Sequence, residues 1–169
     1  MEATDLQREL ELLHADSFGW ALSCCRQRKD DAEEVLQTAY IKVLDGRAKF
    51  EGRSSFRTWF FGVIRRTAYE QHRRRWLRDT LLKSWFAGQP WRLSGPAASP
   101  ETGVDSSQLR SALSRLPERQ QQVLHLVYYQ DLTVEEAAGV LGVSLGTART
   151  HFDRGKRRLR QLLAPQEVR

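Results

Sequence analysis

Cysteine is almost missing from this sequence. The 169 residues hold two, Cys24 and Cys25, and they are neighbours. Adjacent cysteines do not readily close on each other, and no CxxC or Cys/His ligand spacing is present, so neither a disulfide framework nor a zinc site is expected. The pair reads as two small, partly buried residues in a reducing compartment, and the expected localisation is cytoplasmic. Long apolar runs are missing as well. No stretch approaches the ~20 residues that cross a bilayer, so no membrane insertion is expected. Met1 to Asp5 is acidic and lacks the basic-then-apolar order of a signal peptide.

Catalytic signatures are missing too. The histidines His14, His72, His125 and His151 have no metal-ligand spacing. Gly52-Arg-Ser-Ser lacks the further glycine and lysine of a phosphate loop, and there is no GxSxG. No enzymatic activity, metal or cofactor is expected. Sustained strand alternation and Asn-Gly hairpin signals are absent, so the fold class expected is all-α.

What the chain has is charge, unevenly placed. Its net charge is +6. Residues 1–34 carry nine acids and four bases, residues 57–78 seven arginines and one acid, and residues 149–160 six bases and one acid. Two basic blocks with an acidic block elsewhere point to a polyanion held at two places. Between the blocks, Gly88 to Gly103 holds three of the five prolines and no helical period. It reads as a flexible linker over 85–107, made adhesive by Trp85, Phe86, Trp91 and Leu93. The chain thus divides into small helical domains at 1–84 and 108–169.

In the first domain, Leu6, Leu10, Leu13, then Phe18, Ala21, Leu22 and Cys25, predict a helix or helix pair. Ala32, Val35, Leu36, Ala39, Tyr40, Val43 and Leu44 recur at helical spacing, with Asp30 or Asp31 placed to cap. A third helix starts near Ser54 or Ser55, with Phe56, Trp59, Phe60, Val63, Ile64 and Thr67 as its inner stripe. Its aromatics interleave with Arg57, Arg65, Arg66, Arg73, Arg74, Arg75 and Arg78. Thr58, Phe61, Arg65, Tyr69 and His72 fall off that stripe. For Phe61 and Tyr69, core packing and stacking on single-stranded bases are both open. In the second domain, a helix over 106–115 stops before Pro117, and Val123, Leu124, Val127 and Tyr128 of the next face inward.

The last two elements have the shape of a helix-turn-helix. Thr133 and Glu136 have capping-box spacing, Gly142 can take the left-handed turn, and Ser144 can cap the next helix. Ala148, Phe152, Gly155, Leu159 and Leu162 face the core. The opposite face carries Gly146, Thr150, Asp153, Arg154 and Arg157, with Arg149 and Lys156 beside it. A helix in the major groove needs small or hydrogen-bonding residues first and bases farther along. Asp153 either accepts from cytosine N4 or pairs with Arg149 or Arg157 on its own helix. A two-site grip with strand separation at the first block needs Phe61 and Arg65 open and the Thr150–Arg154 face uncovered.

Four segments follow in order: Asp31-Ala-Glu-Glu-Val-Leu-Gln-Thr-Ala-Tyr-Ile-Lys-Val43, Phe50-Glu-Gly-Arg-Ser-Ser-Phe-Arg-Thr-Trp-Phe60, Leu116-Pro-Glu-Arg-Gln120 and Thr133-Val-Glu-Glu-Ala-Ala-Gly-Val-Leu-Gly-Val-Ser-Leu-Gly-Thr147. Together they resemble bacterial RNA polymerase sigma factors of the extracytoplasmic-function type. The resemblance implies binding to core RNA polymerase and promoter-specific initiation of transcription. It places Glu34, Gln37, Thr38 and Ile41 on the β′ clamp helices, with Thr38 standing where an acid is common. It places Phe50, Arg53, Ser54, Ser55, Thr58, Trp59, Phe60, Phe61, Arg65, Arg66 and Arg73 at a −10 element read as single strand. Trp59 and Phe60 are the wedge, and Arg65, Arg66 and Arg73 hold the backbone. Thr133, Arg149, Thr150, Asp153, Arg154 and Arg157 fall to a double-stranded −35 element. Leu116, Val123 and Val127 help receive the β flap. An anti-sigma protein is a further partner that the resemblance admits. A conventional helix-turn-helix repressor or activator is the alternative, and it leaves the aromatic block without a task.

Overall fold

The computed structural model describes the backbone of residues 3–85 and 104–164, and side chains over 5–80 and 108–164. Contacts divide the chain into two units, Met1–Ala98 and Ser99–Arg169. Most of the expected linker, with Phe86, Trp91 and Leu93, lies outside the described residues.

The first unit is built from α1 (Ala3–Leu12), α2 (His14–Cys24), α3 (Lys29–Leu44) and α4 (Phe56–Trp85). The apolar stripe of α3 is buried at Ala32, Val35, Leu36, Ala39 and Val43, while Leu44 is exposed. The start of α3 differs from expectation. Its N-cap is Arg28, without a side-chain cap bond, and Asp30 and Asp31 lie in the first turn. There they favour the positive helix end without capping it. Ser55 starts α4: its Oγ accepts the Thr58 N–H at 3.1 Å and donates to Thr58 Oγ1 at 2.8 Å.

α4 packs against both α2 and α3. A helix held between two others is covered on more than one face. Phe60, Phe61, Val63 and Ile64 are therefore all buried in sequence, and Thr58, Arg65, Thr67 and Ala68 are buried with them. Trp20, which the sequence pattern does not single out, fills the α2 side. Its ring is fully buried, its Nε1 donates to the Phe61 carbonyl at 3.0 Å, and it stacks on Phe61 at 6.3 Å.

The second unit comprises α5 (Val104–Ser114), α6 (Glu118–Tyr128), α7 (Val134–Leu141) and α8 (Leu145–Leu163). Val123, Leu124, Leu126, Ala137, Ala138, Leu141 and Ala148 form its core. On α6 it is Leu126 that turns inward, and Tyr128 at the helix end is exposed. The α7 start is a complete capping box. Thr133 Oγ1 accepts the Glu136 N–H at 3.1 Å, and Glu136 Oε2 accepts the Thr133 N–H at 2.8 Å. Gly142 closes α7 at φ 62°, and the Val143 N–H returns to the Ala138 carbonyl at 3.1 Å. Arg119 Nη1 reaches the Leu141 carbonyl at 3.3 Å, which ties α6 to the turn. These contacts fix the angle at which α8 leaves α7.

Candidate nucleic-acid interface

In the second unit, Ser144 caps α8 by accepting the Thr147 N–H at 3.2 Å. Ala148 and Gly155 face the core. Gly155 is a close approach: a Cβ there would meet Leu124 Cδ1 at 3.1 Å and Gln120 Cβ at 3.3 Å. The other side of α8 is open. Gly146, Arg149, Thr150, Asp153, Arg154 and Arg157 are all exposed, as is Thr133 at the start of α7. Thr150 Oγ1 donates to the Gly146 carbonyl at 2.9 Å, which leaves its lone pairs outward. Asp153 pairs with Lys156 at 3.3 Å rather than with Arg149 or Arg157. Lys156 Nζ also stands 4.3 Å from the Phe152 ring centroid. The acid is thereby paired within its own helix, and Arg149, Arg154 and Arg157 stay exposed. The condition that Thr150–Arg154 be uncovered holds within this unit.

At the first unit the outcome is mixed. Phe50, Phe56, Trp59 and Phe60 form one cluster. Phe50 meets Phe56 edge-on at 5.5 Å and Trp59 at 5.3 Å, and Phe56 stacks on Phe60 at 6.1 Å. The cluster pins the 45–55 loop to the first turns of α4. Phe50 and Trp59 keep part of their surface, and Arg53, Ser54 and Ser55 are exposed. These residues, with exposed Arg66 and Arg73, remain the accessible part of the candidate surface.

Four expected contacts are corrected. Phe61 has 0% exposure and lies against Trp20, with the Arg57 guanidinium 5.4 Å from its ring centroid. Phe60 is equally buried and stacks on Tyr40 at 5.5 Å. Thr58 is buried against Ser55. Arg65 is 8% exposed, with its guanidinium 4.7 Å from the Tyr69 ring centroid. The causes differ: Phe61 is covered by Trp20 of α2, on a side that a single-stripe wheel leaves open, whereas Phe60 lies in the inner stripe and packs on Tyr40 of α3. The condition that Phe61 and Arg65 lie open fails. Tyr69, braced by Arg65, is 39% exposed and keeps a face for contact. An open hollow is lined by Asp5, Arg8, Glu9, Leu12 and Phe56, so it lies on the α1 side and not at the 45–55 loop.

On α3, Glu34, Gln37 and Ile41 are exposed, Ile41 by 49%. Thr38 is half-buried and accepts from Gln71 Nε2 at 3.2 Å. Leu116 and Val123 are core residues of the second unit, so they do not form an outer surface; Val127 is half-buried. Burial, with Asp31 nearby, raises the Cys25 thiol to about 11, so that thiol is not a nucleophile at neutral pH. Among the described residues no His, Cys, Asp and Glu cluster could hold a metal.

Residues 11–78 match the family described as Sigma-70 region 2, and residues 106–159 match Sigma-70, region 4. The RNA polymerase sigma factor YlaC of Bacillus subtilis is 31% identical over 134 residues, 78% of this chain and 77% of that protein. The ECF RNA polymerase sigma factor SigW of the same organism is 25% identical over 142 residues, 79% and 75% of the two chains. This chain is an extracytoplasmic-function sigma factor. Among solved structures, the sigma factor RpoE from Bartonella quintana, in complex with the anti-sigma factor NepR, has a TM-score of 0.74 at 25% identity, with 96% of this chain and 98% of that one covered. CnrH, solved with the cytosolic domain of CnrY, shares the fold at a TM-score of 0.63 and 21% identity. As a sigma factor the protein binds core RNA polymerase and directs it to promoters. The repressor alternative accounts for the second unit alone, whereas the region 2 match spans the first.

Proposed function

We propose that this sigma factor reads its promoter with two surfaces of unequal character. The first is the open side of α8. Arg149, Thr150, Arg154 and Arg157 enter the major groove of the −35 duplex, and Thr133 contacts a phosphate at the α7 start. Asp153, paired with Lys156, lies among these residues and limits which bases the neighbouring arginines accept. The observation that carries this reading is the polar and basic face of α8, left open while Ala148 and Gly155 pack inward.

The second surface is the 45–55 loop with the first turns of α4. Phe50, Arg53, Ser54 and Ser55 take the non-template strand of the −10 element, and Trp59 holds the duplex edge apart. Arg66 and Arg73 hold the backbone. Thr58, Phe60, Phe61 and Arg65 act from behind, as the packed support that keeps this edge in shape. Unpairing costs a few kcal/mol per base, returned by stacking and by the loop. Exposed Glu34, Gln37 and Ile41, with Thr38, meet the β′ clamp helices. The β flap meets the second unit near Val127. The NepR-bound relative supports an anti-sigma protein as a partner. Among the described residues no helix is long and apolar enough to cross a membrane, and the site of action proposed is the cytoplasm. No catalytic activity or cofactor is assigned.

Two substitutions separate the surfaces on a promoter that the holoenzyme transcribes. Arg154→Ala weakens duplex binding by about 1–3 kcal/mol and relaxes preference at one −35 position. Trp59→Ala leaves that binding intact and reduces permanganate reactivity of −10 thymines. Equal loss of both readouts in both variants would overturn the division of labour.

A further inference from the structure

One arginine of the basic run on α4 is not available to a ligand. Arg75 Nη1 donates to Asp31 Oδ1, and its Nη2 donates to Glu34 Oε2 at 2.8 Å. Both carboxylates belong to α3. Arg73 and Arg74 are exposed and have no carboxylate partner among the described residues. Arg78, three residues on, shares the side of the helix from which Arg75 projects. The same α3–α4 edge continues with Gln71 on Thr38 at 3.2 Å and Lys42 on Glu70 at 2.6 Å. Glu34 and Thr38, which the clamp reading assigns to polymerase, are therefore already engaged by α4 in the isolated chain.

We propose that Arg75 is a promoter-phosphate contact that the free sigma factor withholds: docking of polymerase on α3 draws Glu34 away and releases the guanidinium to DNA. This rests on the clamp reading of α3. The Glu34 side chain is 57% exposed and that of Arg75 31%, so water reaches this pair, and such pairs are weak; the Asp31 side chain is 14% exposed and is the firmer of the two holds. Asp31 also pairs with Arg28, so it keeps a partner when Arg75 leaves. A guanidinium gained by the DNA surface adds about one phosphate contact, which steepens the logarithmic salt dependence by roughly 0.9. The device makes DNA affinity of the first unit rise when polymerase is bound.

The test uses the full chain. Binding of the free chain to a mixed-sequence 30-nucleotide single strand, and of the holoenzyme to a promoter fragment that it transcribes, is followed by fluorescence anisotropy across a salt series. Arg75→Ala is expected to leave the free chain within about twofold, to weaken the holoenzyme about fivefold and to flatten its salt slope by about one. Asp31→Asn, which loosens the hold without touching the clamp residues, is expected to raise the free chain's affinity about threefold. The Asp31→Asn/Arg75→Ala double variant loses that gain. The proposal is overturned if Arg75→Ala weakens free chain and holoenzyme alike, if it weakens neither, or if the gain survives in the double variant. Core binding by Ile41→Ala separates the two readings. If it is unchanged, the clamp assignment and the trigger fall together, while the Asp31→Asn comparison still decides whether Arg75 is withheld.

Discussion

Phe61 lies off the inner stripe of α4, where the sequence leaves core packing and base stacking both open, and it is fully buried against Trp20. The wheel was right about Phe56, Phe60, Val63 and Ile64 and wrong about how many neighbours α4 has. Phe61→Ala is expected to cost about 3–5 kcal/mol of stability. Tyr69→Ala is expected to cost less than about 1 kcal/mol, because that ring is a surface group, and to weaken DNA binding instead. Chemical denaturation of the two variants checks the contrast; a stability loss at Tyr69 equal to that at Phe61 would contradict it. Gly155 is the opposite case. Glycine is a poor residue in a helix interior, and the close approach of α8 to α6 accounts for it here. Gly155→Leu forces Leu124 and Gln120 to shift, at an expected cost of about 1–3 kcal/mol in the same measurement. A neutral result would mean that the two helices part freely.

At the scale of elements, the caps and turn of the helix-turn-helix were legible, while Phe152, Leu159 and Leu162 are half-buried rather than core. The Thr133–Glu136 box, Gly142 turn and Ser144 cap are local chemistry, written in residues three or four apart, and each is formed in the structure. The start of α3 was misread for the same reason in reverse: two aspartates in a row invite a cap, and Arg28 took the position instead. Long-range facts were illegible. Trp20 on Phe61 and Arg75 on Asp31 join residues more than forty positions apart, and no periodicity reports them. The α6 helix carries a titratable signature of its burial. His125 stacks on Tyr129 at 5.3 Å, and desolvation lowers its pKa to about 4 from the ordinary 6.5. Between those values the unfolded chain takes up a proton that the folded one refuses. The stability held by the neutral ring is whole above about pH 6.5 and is lost as pH falls toward 4, on the order of 2–3 kcal/mol. Thermal melts of the full chain from pH 7 to 4.5 should show this slope, and His125→Gln should reduce it. An unchanged slope would mean that His125 titrates normally.

At the scale of the whole molecule, the two basic blocks fall on different units, each with its own core. The order of motifs was enough to place the chain in its family. Which side of each basic helix faces outward was not, since that depends on what else packs against it. In the second unit the basic face of α8 is open. In the first, part of the aromatic block is core, and the proposed contact surface contracts to the 45–55 loop, Trp59 and the outer arginines. The protein as a whole gives core polymerase a paired address. Transcription start sites can be sequenced from a genomic template incubated with purified core polymerase, with and without this chain. The expected result is a discrete set of starts that appears only with the chain, sharing two upstream sequence blocks at near-constant spacing and lost with Arg154→Ala. A pattern of starts identical to that of core polymerase alone would contradict it.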